Sequence, residues 1–285
     1  MKISVVIPAY NESKNIVALI SSVCSVLPGA EILVVDDCSE DNTKELAEKA
    51  GASVISHPYN IGNGAAVKTG IRRASGDMII LMDGDGQHDP EDIPKLLEAS
   101  QNYDMVVGAR ESNTHASLFR RCANFLYNML ATYVTRISVK DLTSGFRVVN
   151  RKTVLRYLYL LPNAFSYPTT ITLAYLRSGL SVCYIPIRAK KRKGKSKIKI
   201  SSDGFRFLLI IIKITTLFSP LLIFLPISFL FFILGLINYG YTYFFFHRFT
   251  NMSALLFITS IVLFMMGLIS EQITQTRYDR IENGS

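Results

Sequence analysis

Along the first 110 residues, short apolar runs rich in β-branched side chains alternate with longer, mixed segments. The runs are "ISVVI" (3–7), "EILVVDD" (31–37), "ASVISH" (52–57), "DMIILMD" (77–83) and "DMVVGAR" (104–110). Near-continuous apolar runs of this length read as strands buried on both faces. The mixed segments near 13–27, 41–50, 63–75 and 90–101 read as helices. Strands alternating with helices predict an α/β domain with a largely parallel sheet, whose ligands bind beyond the carboxyl ends of the strands. Those ends carry Pro8-Ala9-Tyr10-Asn11-Glu12, Asp36-Asp37, His57, Asp83-Gly84-Asp85 and Arg110. Further on, the pattern predicts an amphipathic helix over 116–136, a helix near 166–178 and a strand over 181–187.

The last third follows a different rule. No Asp, Glu, Lys or Arg occurs in 214–246, and none in 249–270. A membrane span needs about 20 apolar residues. Two spanning helices are expected near 219–241 and 251–271. Ser219-Pro220 suits an N-cap and first helical position, and Thr250-Asn251 offers caps for the second helix. The alternative is a helical hairpin buried in a soluble core, but "LLIFLPISFLFFILGLI" is apolar on every side.

Charge divides the chain again. The formal net charge is +9, yet residues 1–141 carry −5, residues 142–213 carry +14 and the remainder is neutral. "RAKKRKGKSKIK" (188–199) sits inside the positive stretch, and 201–218 reads as an interfacial helix ahead of the first span. Such a segment attracts phosphates, whether on nucleic acid, lipid headgroups or a substrate. The four cysteines are far apart and read as small core residues of a reduced compartment. The apolar run at the N-terminus is too short for a signal peptide.

A dinucleotide fingerprint is missing where it belongs. The first strand–helix turn, "PAYNESKN", has no glycine, and "NIGNGAAVKTG" has Val67 in place of a third glycine. Neither a P-loop nor an HExxH motif occurs. What stands out is "IILMDGDGQHDPED" (79–92), where an apolar strand runs into several acids. Like charges this close repel, so a cation, a proton or a partner is expected among them. Asp83 and Asp85 flank Gly84 at a strand end, and hard oxygen ligands suit Mg²⁺ or Mn²⁺ completed by substrate phosphates. Glu91 and Asp92 instead suit the first turn of the following helix.

"VVIPAYNE", "VVDDCSEDNT", "NIGNGAAVKTG", "LMDGDGQHDP", "DLTSGFR" and "RKGKSKI" occur in the order seen in family 2 glycosyltransferases. Over residues 3–213 the chain resembles the branch that transfers sugars to polyprenyl phosphates, and the apolar hairpin suits a member with two C-terminal spans. The resemblance implies a GT-A fold over 1–200, with an acceptor loop at 188–199. An interfacial helix over 201–218, a membrane hairpin over 219–271 and a cytoplasmic tail over 272–285 would follow. It also implies that Pro8, Tyr10, Glu12 and Asp37 line a nucleobase and ribose pocket. Asp83 would contact ribose or sugar, and Asp85 with Gln87 would hold Mg²⁺ or Mn²⁺ on the diphosphate.

The implied reaction is inverting transfer of a hexose from a UDP- or GDP-sugar to polyprenyl phosphate. Candidates for the acceptor phosphate are Arg110, Arg121, Arg192, Ser196 and Lys197. Asp141 either acts at the reaction centre, as base or positioning group, or caps a helix or strand. Arg147 is either at the catalytic edge or in a core ion pair, and Lys68 faces either a phosphate or solvent. A processive polysaccharide synthase is a rival reading, but its QxxRW motif needs a tryptophan and the chain has none. A nucleic-acid binder and an inactive membrane scaffold are further rivals. The basic run lies beside the spans, which favours lipid over nucleic acid as its partner. Positive residues before the first span place the catalytic domain and the C-terminus in the cytoplasm. Homo-oligomerisation is left open.

Overall fold

The computed structural model describes residues 2–110, 128–129, 131–133, 135, 137–163, 167–187, 216 and 219–283. The chain divides into two compact units, Met1–Lys199 and Ile200–Ser285.

The first unit is built on a seven-stranded sheet. Its strands are β1 (Ile3–Ala9), β2 (Glu31–Asp36), β3 (Ser53–Ser56), β4 (Met78–Leu81), β5 (Met105–Arg110), β6 (Arg147–Asn150) and β7 (Val182–Ile187). Their order is β3-β2-β1-β4-β6-β5-β7. Only β6 runs antiparallel to its neighbours. The helices are α1 (Ile16–Val26), α2 (Thr43–Lys49), α3 (Asn63–Arg73), α4 (Ile93–Ala99), α5 (Arg151–Tyr157) and α6 (Tyr167–Arg177). Val5 and Ile7 of β1, Val34, Ile80, Val106 and Val148 are fully buried in one core with Ile16, Ile20 and Val23 of α1. On the other face α3 lies hard against the sheet: a Cβ at Gly70 would overlap the Val6 side chain. Pro8 is tolerated in a central strand for a positional reason. Val6 O accepts from Met82 N, so Pro8, two residues on, faces β4 where pairing has already ended at Leu81.

The strand–helix alternation predicted over the first 110 residues is present, as are the helix near 166–178 and the strand over 181–187. β6 and α5 have no counterpart in the predicted pattern. "RVVN" is four residues long and opens with a charge, too little for a period of two to register. Of the expected 116–136 helix only 128–129, 131–133 and 135 are among the described residues, and all of these are helical; the 188–199 loop and nearly all of the 201–218 helix lie outside them.

β6 matters because of its direction. β1, β2, β3, β4 and β5 all end at one edge of the sheet. An antiparallel β6 begins at that same edge, so the 141–146 segment leading into it joins the strand ends.

The second unit is a helical hairpin of α7 (Leu221–Phe246) and α8 (Asn251–Asn283). Both helices are long and apolar enough to cross a membrane, and within their most apolar windows only 11% and 17% of residues are buried. A hairpin inside a soluble core would hide most of these side chains. Polar contacts join the two helices at three levels. Glu271 accepts from Leu221 N at 3.2 Å. Ser228 and Ser260 each donate a hydroxyl to the other's carbonyl, both at 2.9 Å. Asn238 Oδ1 accepts from Ser253 Oγ at 2.8 Å and from Thr250 Oγ1 at 3.3 Å. Pro220 flanks the helix without a side-chain cap, and the carboxylate of Glu271 from α8 takes an orphan N–H. Thr250 does cap α8, accepting from Ser253 N.

Candidate active site at the carboxyl edge of the sheet

The loop after β4 carries the acids. Asp83 keeps 31% of its side chain exposed, and the His88 ring lies beside it, Nε2 3.8 Å from Oδ2. Burial pushes the Asp83 carboxyl up, but His88, Arg110 and Asn63 more than offset this and hold it below the usual carboxylate range. Asp85, half-buried, accepts from Gln87 N at 3.1 Å, which folds the loop back over Gly86. His88 escaped sequence reasoning although it follows the acidic motif directly. It is buried against Phe146, ring centroids 5.3 Å apart, and its Nδ1 has no partner among the described residues.

The segment ahead of β6 meets this loop. Asp83 packs so closely on Gly145 that a Cβ there would overlap its carboxylate. The glycine of "SGFR" is thus required by an acid 62 residues earlier in the chain. Across the same edge Arg110, at the end of β5, grips Asp141: Nε to Oδ2 at 2.9 Å, Nη2 to Oδ1 at 3.1 Å and backbone N to Oδ2 at 3.2 Å. Arg110 Nη2 also donates to Thr143 Oγ1. Asp141 further accepts from Thr143 N, Thr143 Oγ1 and Ser144 N. Burial raises the Asp141 carboxyl, yet these donors and the Arg110 charge hold it below its ordinary value. The Arg110 guanidinium feels Asp83 and Asp85 as well as Asp141, and is held more firmly protonated than usual. Arg110 remains one-third exposed.

Arg147 does not line this edge. It is fully buried and forms no ion pair among the described residues, so neither the edge position nor the ion pair considered from sequence describes it. Its guanidinium donates to Ser144 O at 2.8 Å, Leu142 O at 3.3 Å and Thr172 Oγ1 at 2.6 Å. Desolvation lowers its proton affinity, but the bonds fasten the 141–146 segment from below. Lys68 is tied to the 161–163 segment: it donates to Leu161 O at 3.1 Å and to Asn163 Oδ1.

The ends of β1, β2 and β3 form the other half of the edge. Asn11 and Cys38 both adopt left-handed backbone conformations, at φ 57° and 62°. They belong to two turns that are stitched together: Ser39 Oγ accepts from Asn11 N at 2.9 Å and Asn11 Oδ1 accepts from Glu40 N at 2.8 Å. Strained non-glycine residues of this kind cluster at functional edges. Pro8 is buried, and Tyr10 and Glu12 are half-buried at the first of these turns. Glu12 accepts from Asn15 Nδ2 at 3.0 Å. Asp37 is heavily engaged. It accepts from Ile61 N at 3.0 Å and Gly62 N at 2.8 Å, and pairs with His57 Nδ1 at 2.7 Å. The other ring nitrogen of His57 meets Thr69 Oγ1 at 2.9 Å.

The structure therefore gathers Asp83, Asp85, Gln87, Arg110 and Asp141 at the β4, β5 and β6 side, and Pro8, Tyr10, Glu12 and Asp37 at the β1 and β2 side. Arg121, Arg192, Ser196 and Lys197 lie outside the described residues.

Residues 4–158 match glycosyl transferase family 2 over more than half of the chain. The chain belongs to glycosyl transferase family 2. In this family 2 chain, residues 219–276 also match the GtrB C-terminal hairpin. Undecaprenyl-phosphate 4-deoxy-4-formamido-L-arabinose transferase of Yersinia pestis (strain Pestoides F) is 37% identical over 189 residues, covering 59% of this chain and 58% of that protein. The protein of the same name from Yersinia pseudotuberculosis serotype O:3 (strain YPIII) is similar to the same extent. The chain thus spans well under two thirds of the length of these relatives. Glucosyl-3-phosphoglycerate synthase from Mycobacterium tuberculosis, solved with Mn²⁺, uridine diphosphate and glucosyl-3-phosphoglycerate, superposes with a TM-score of 0.60 at 21% identity. That match covers 75% of this chain and 78% of the other, and it establishes the shared GT-A fold.

Proposed function

We propose that this family 2 protein transfers a hexose from a nucleoside-diphosphate sugar to a membrane polyprenyl phosphate. One observation carries the reading: an acidic pair and a guanidinium share one sheet edge, in a chain that ends in an apolar hairpin. The relatives named above, which act on undecaprenyl phosphate, support the choice of acceptor. The donor base fits the strained turns at β1 and β2, beside Pro8, Tyr10 and Glu12. Asp37 supports that pocket from behind by holding the 57–62 turn.

The donor set fits a divalent cation. Among the described residues no group of three or more acidic, His or Cys side chains is poised to enclose a metal. Asp85 and Gln87 lie on the same loop after β4 and offer oxygen donors, as suits a metal whose remaining ligands are substrate phosphates. Asp85 and Gln87 would hold Mg²⁺ or Mn²⁺, which supplies Lewis-acid stabilisation of the departing diphosphate. The chain's own residues do the rest. A phosphate oxygen of the acceptor, already anionic at neutral pH, forms the new bond to the anomeric carbon. The bond from that carbon to the diphosphate breaks, and the nucleoside diphosphate leaves with the electron pair. One displacement inverts the anomeric centre. Arg110 offsets the repulsion between two phosphate groups. Asp141, saturated with donors and depressed in proton affinity, aims Arg110 and does not take a proton. Arg121, Arg192, Ser196 and Lys197 complete the acceptor side, with the catalytic domain on the cytoplasmic face.

The test is direct. Purified protein with Mn²⁺ or Mg²⁺, a panel of UDP- and GDP-sugars and polyprenyl phosphate is expected to yield one lipid-linked sugar, identified by mass, with its anomeric configuration inverted. Transfer to a growing polysaccharide with none to lipid phosphate would overturn the reading.

A further inference from the structure

The last two turns of α7 are unlike the rest of the hairpin. The sequence there reads "YGYTYFFFHRF" (239–249). Tyr241, Tyr243, Phe244, Phe245 and Phe246 are all exposed, Phe244 and Phe245 most of all at 79% and 71%. We infer that these turns form an aromatic collar that lies in the headgroup–glycerol zone of a phospholipid bilayer. This rests on the membrane reading of the hairpin.

Two lengths place the collar. The Glu271–Leu221 contact and the Asn238–Ser253 contact mark the two polar ends of the packed hairpin. From Leu221 to Asn238 the helix rises about 26 Å, and from Asn251 to Glu271 about 30 Å, at about 1.5 Å per residue. Both approach the hydrocarbon thickness of about 30 Å. Asn238 already bonds to Thr250 and Ser253, so it stands level with the first turn of α8. α7 nevertheless continues to Phe246, about 12 Å further. Phe249 then returns to pack on Tyr239, ring centroids 5.6 Å apart. The final turns of α7 therefore project past the slab into the zone that adds about 5–8 Å on each side.

The distribution of rings selects the occupant. Residues 241 and 243 to 246 point in every direction around a helix of about 3.6 residues per turn. A partner helix needs one close-packed face, commonly made of small residues. Rings on all sides suit a surrounding medium with apolar and polar character, the region where Tyr and other aromatic residues concentrate. His247 and Arg248 add polar tips at the apex.

The chain contains no tryptophan, so one substitution creates a unique fluorescent reporter. Full-length Tyr241→Trp and, as a depth control, Leu230→Trp would each be reconstituted in phosphatidylcholine vesicles. The vesicles would carry bromine either near the glycerol end or near the methyl end of the acyl chains. Tyr241→Trp should be quenched at least about twofold more by shallow than by deep bromine, as expected for the interface. Leu230→Trp should show the reverse preference. Deep quenching of Tyr241→Trp overturns the collar and leaves the span intact. So does a Tyr241→Trp that no lipid quenches while Leu230→Trp is quenched deep, since water or a second copy then covers it. Absence of quenching at both positions overturns the membrane reading itself, and the collar with it.

Discussion

Two strands of this sheet end in a pair of acids, and the structure treats the pairs differently. At the end of β2, Asp36 accepts from Ser39 N, and Asp37 is closed in by two backbone N–H groups and His57. At the end of β4, Asp83 keeps nearly a third of its side chain exposed and lies 3.8 Å from the His88 ring nitrogen. The first pair frames loops. The second holds negative charge at an open edge, opposite Arg110. An acid at a strand end is therefore not evidence of chemistry by itself. What matters is whether the fold has already spent its lone pairs.

The comparison can be broken most sharply at Asp85. Asp85→Asn should lower sugar transfer by about 10³-fold, the scale of losing a metal's charge stabilisation. Its melting temperature should stay close to wild type, since a half-buried loop carboxylate carries little packing. Near-normal turnover would dissolve the distinction between the two pairs. Gly145→Ala comes next. Its Cβ displaces the Asp83 carboxylate, and small misplacements at a reacting centre cost about 10²-fold. Retained turnover, with a crystal structure in which Asp83 has not moved, would remove Asp83 from the site.

Asp37→Asn is expected to do the opposite of Asp85→Asn. One of its backbone donors would face an amide NH₂, at a cost of about 1–3 kcal/mol. Thermal unfolding should register this, while turnover per folded molecule stays within about tenfold. A stable but inactive Asp37→Asn would mean that the framing acid is also a chemical one. The smallest effect concerns pH. The folded Asp141 carboxyl titrates below its unfolded value of about 3.9. Its contribution to stability is therefore complete above about pH 4 and lost as pH falls through the depressed folded value. The gap in melting temperature between wild type and Asp141→Asn should shrink between neutral pH and about pH 3. A gap that persists unchanged would show that charge is not what Asp141 contributes.

Much of this was legible in the chain. Apolar runs marked β1, β2, β4 and β5, because burial on both faces leaves a local signature, while the edge strands β3 and β7 are only partly buried and were marked by their β-branched and aromatic residues. The lack of charge in 214–246 and 249–270 marked both long helices for a different reason, since their apolar side chains stay largely exposed on the protein. Asp83 and Asp85 were visible because acids break an apolar run abruptly. β6 was not visible, since its two buried valines are fixed by β4 and β5 on either side. Nor was the fate of Arg147, whose partners are backbone carbonyls and Thr172.

The sequence by itself determined which segments are buried, which kind of element each forms, and which residues carry charge to an edge. Periodicity and composition are local properties, and burial writes them directly. Only the tertiary structure decided which polar groups meet. The antiparallel course of β6 brings Asp141 to Arg110 and Gly145 to Asp83, and the turn after β3 closes over Asp37 instead of over Asp83. Those pairings depend on strand order and direction, which are set by burial across the whole sheet and leave no trace in any single stretch of chain.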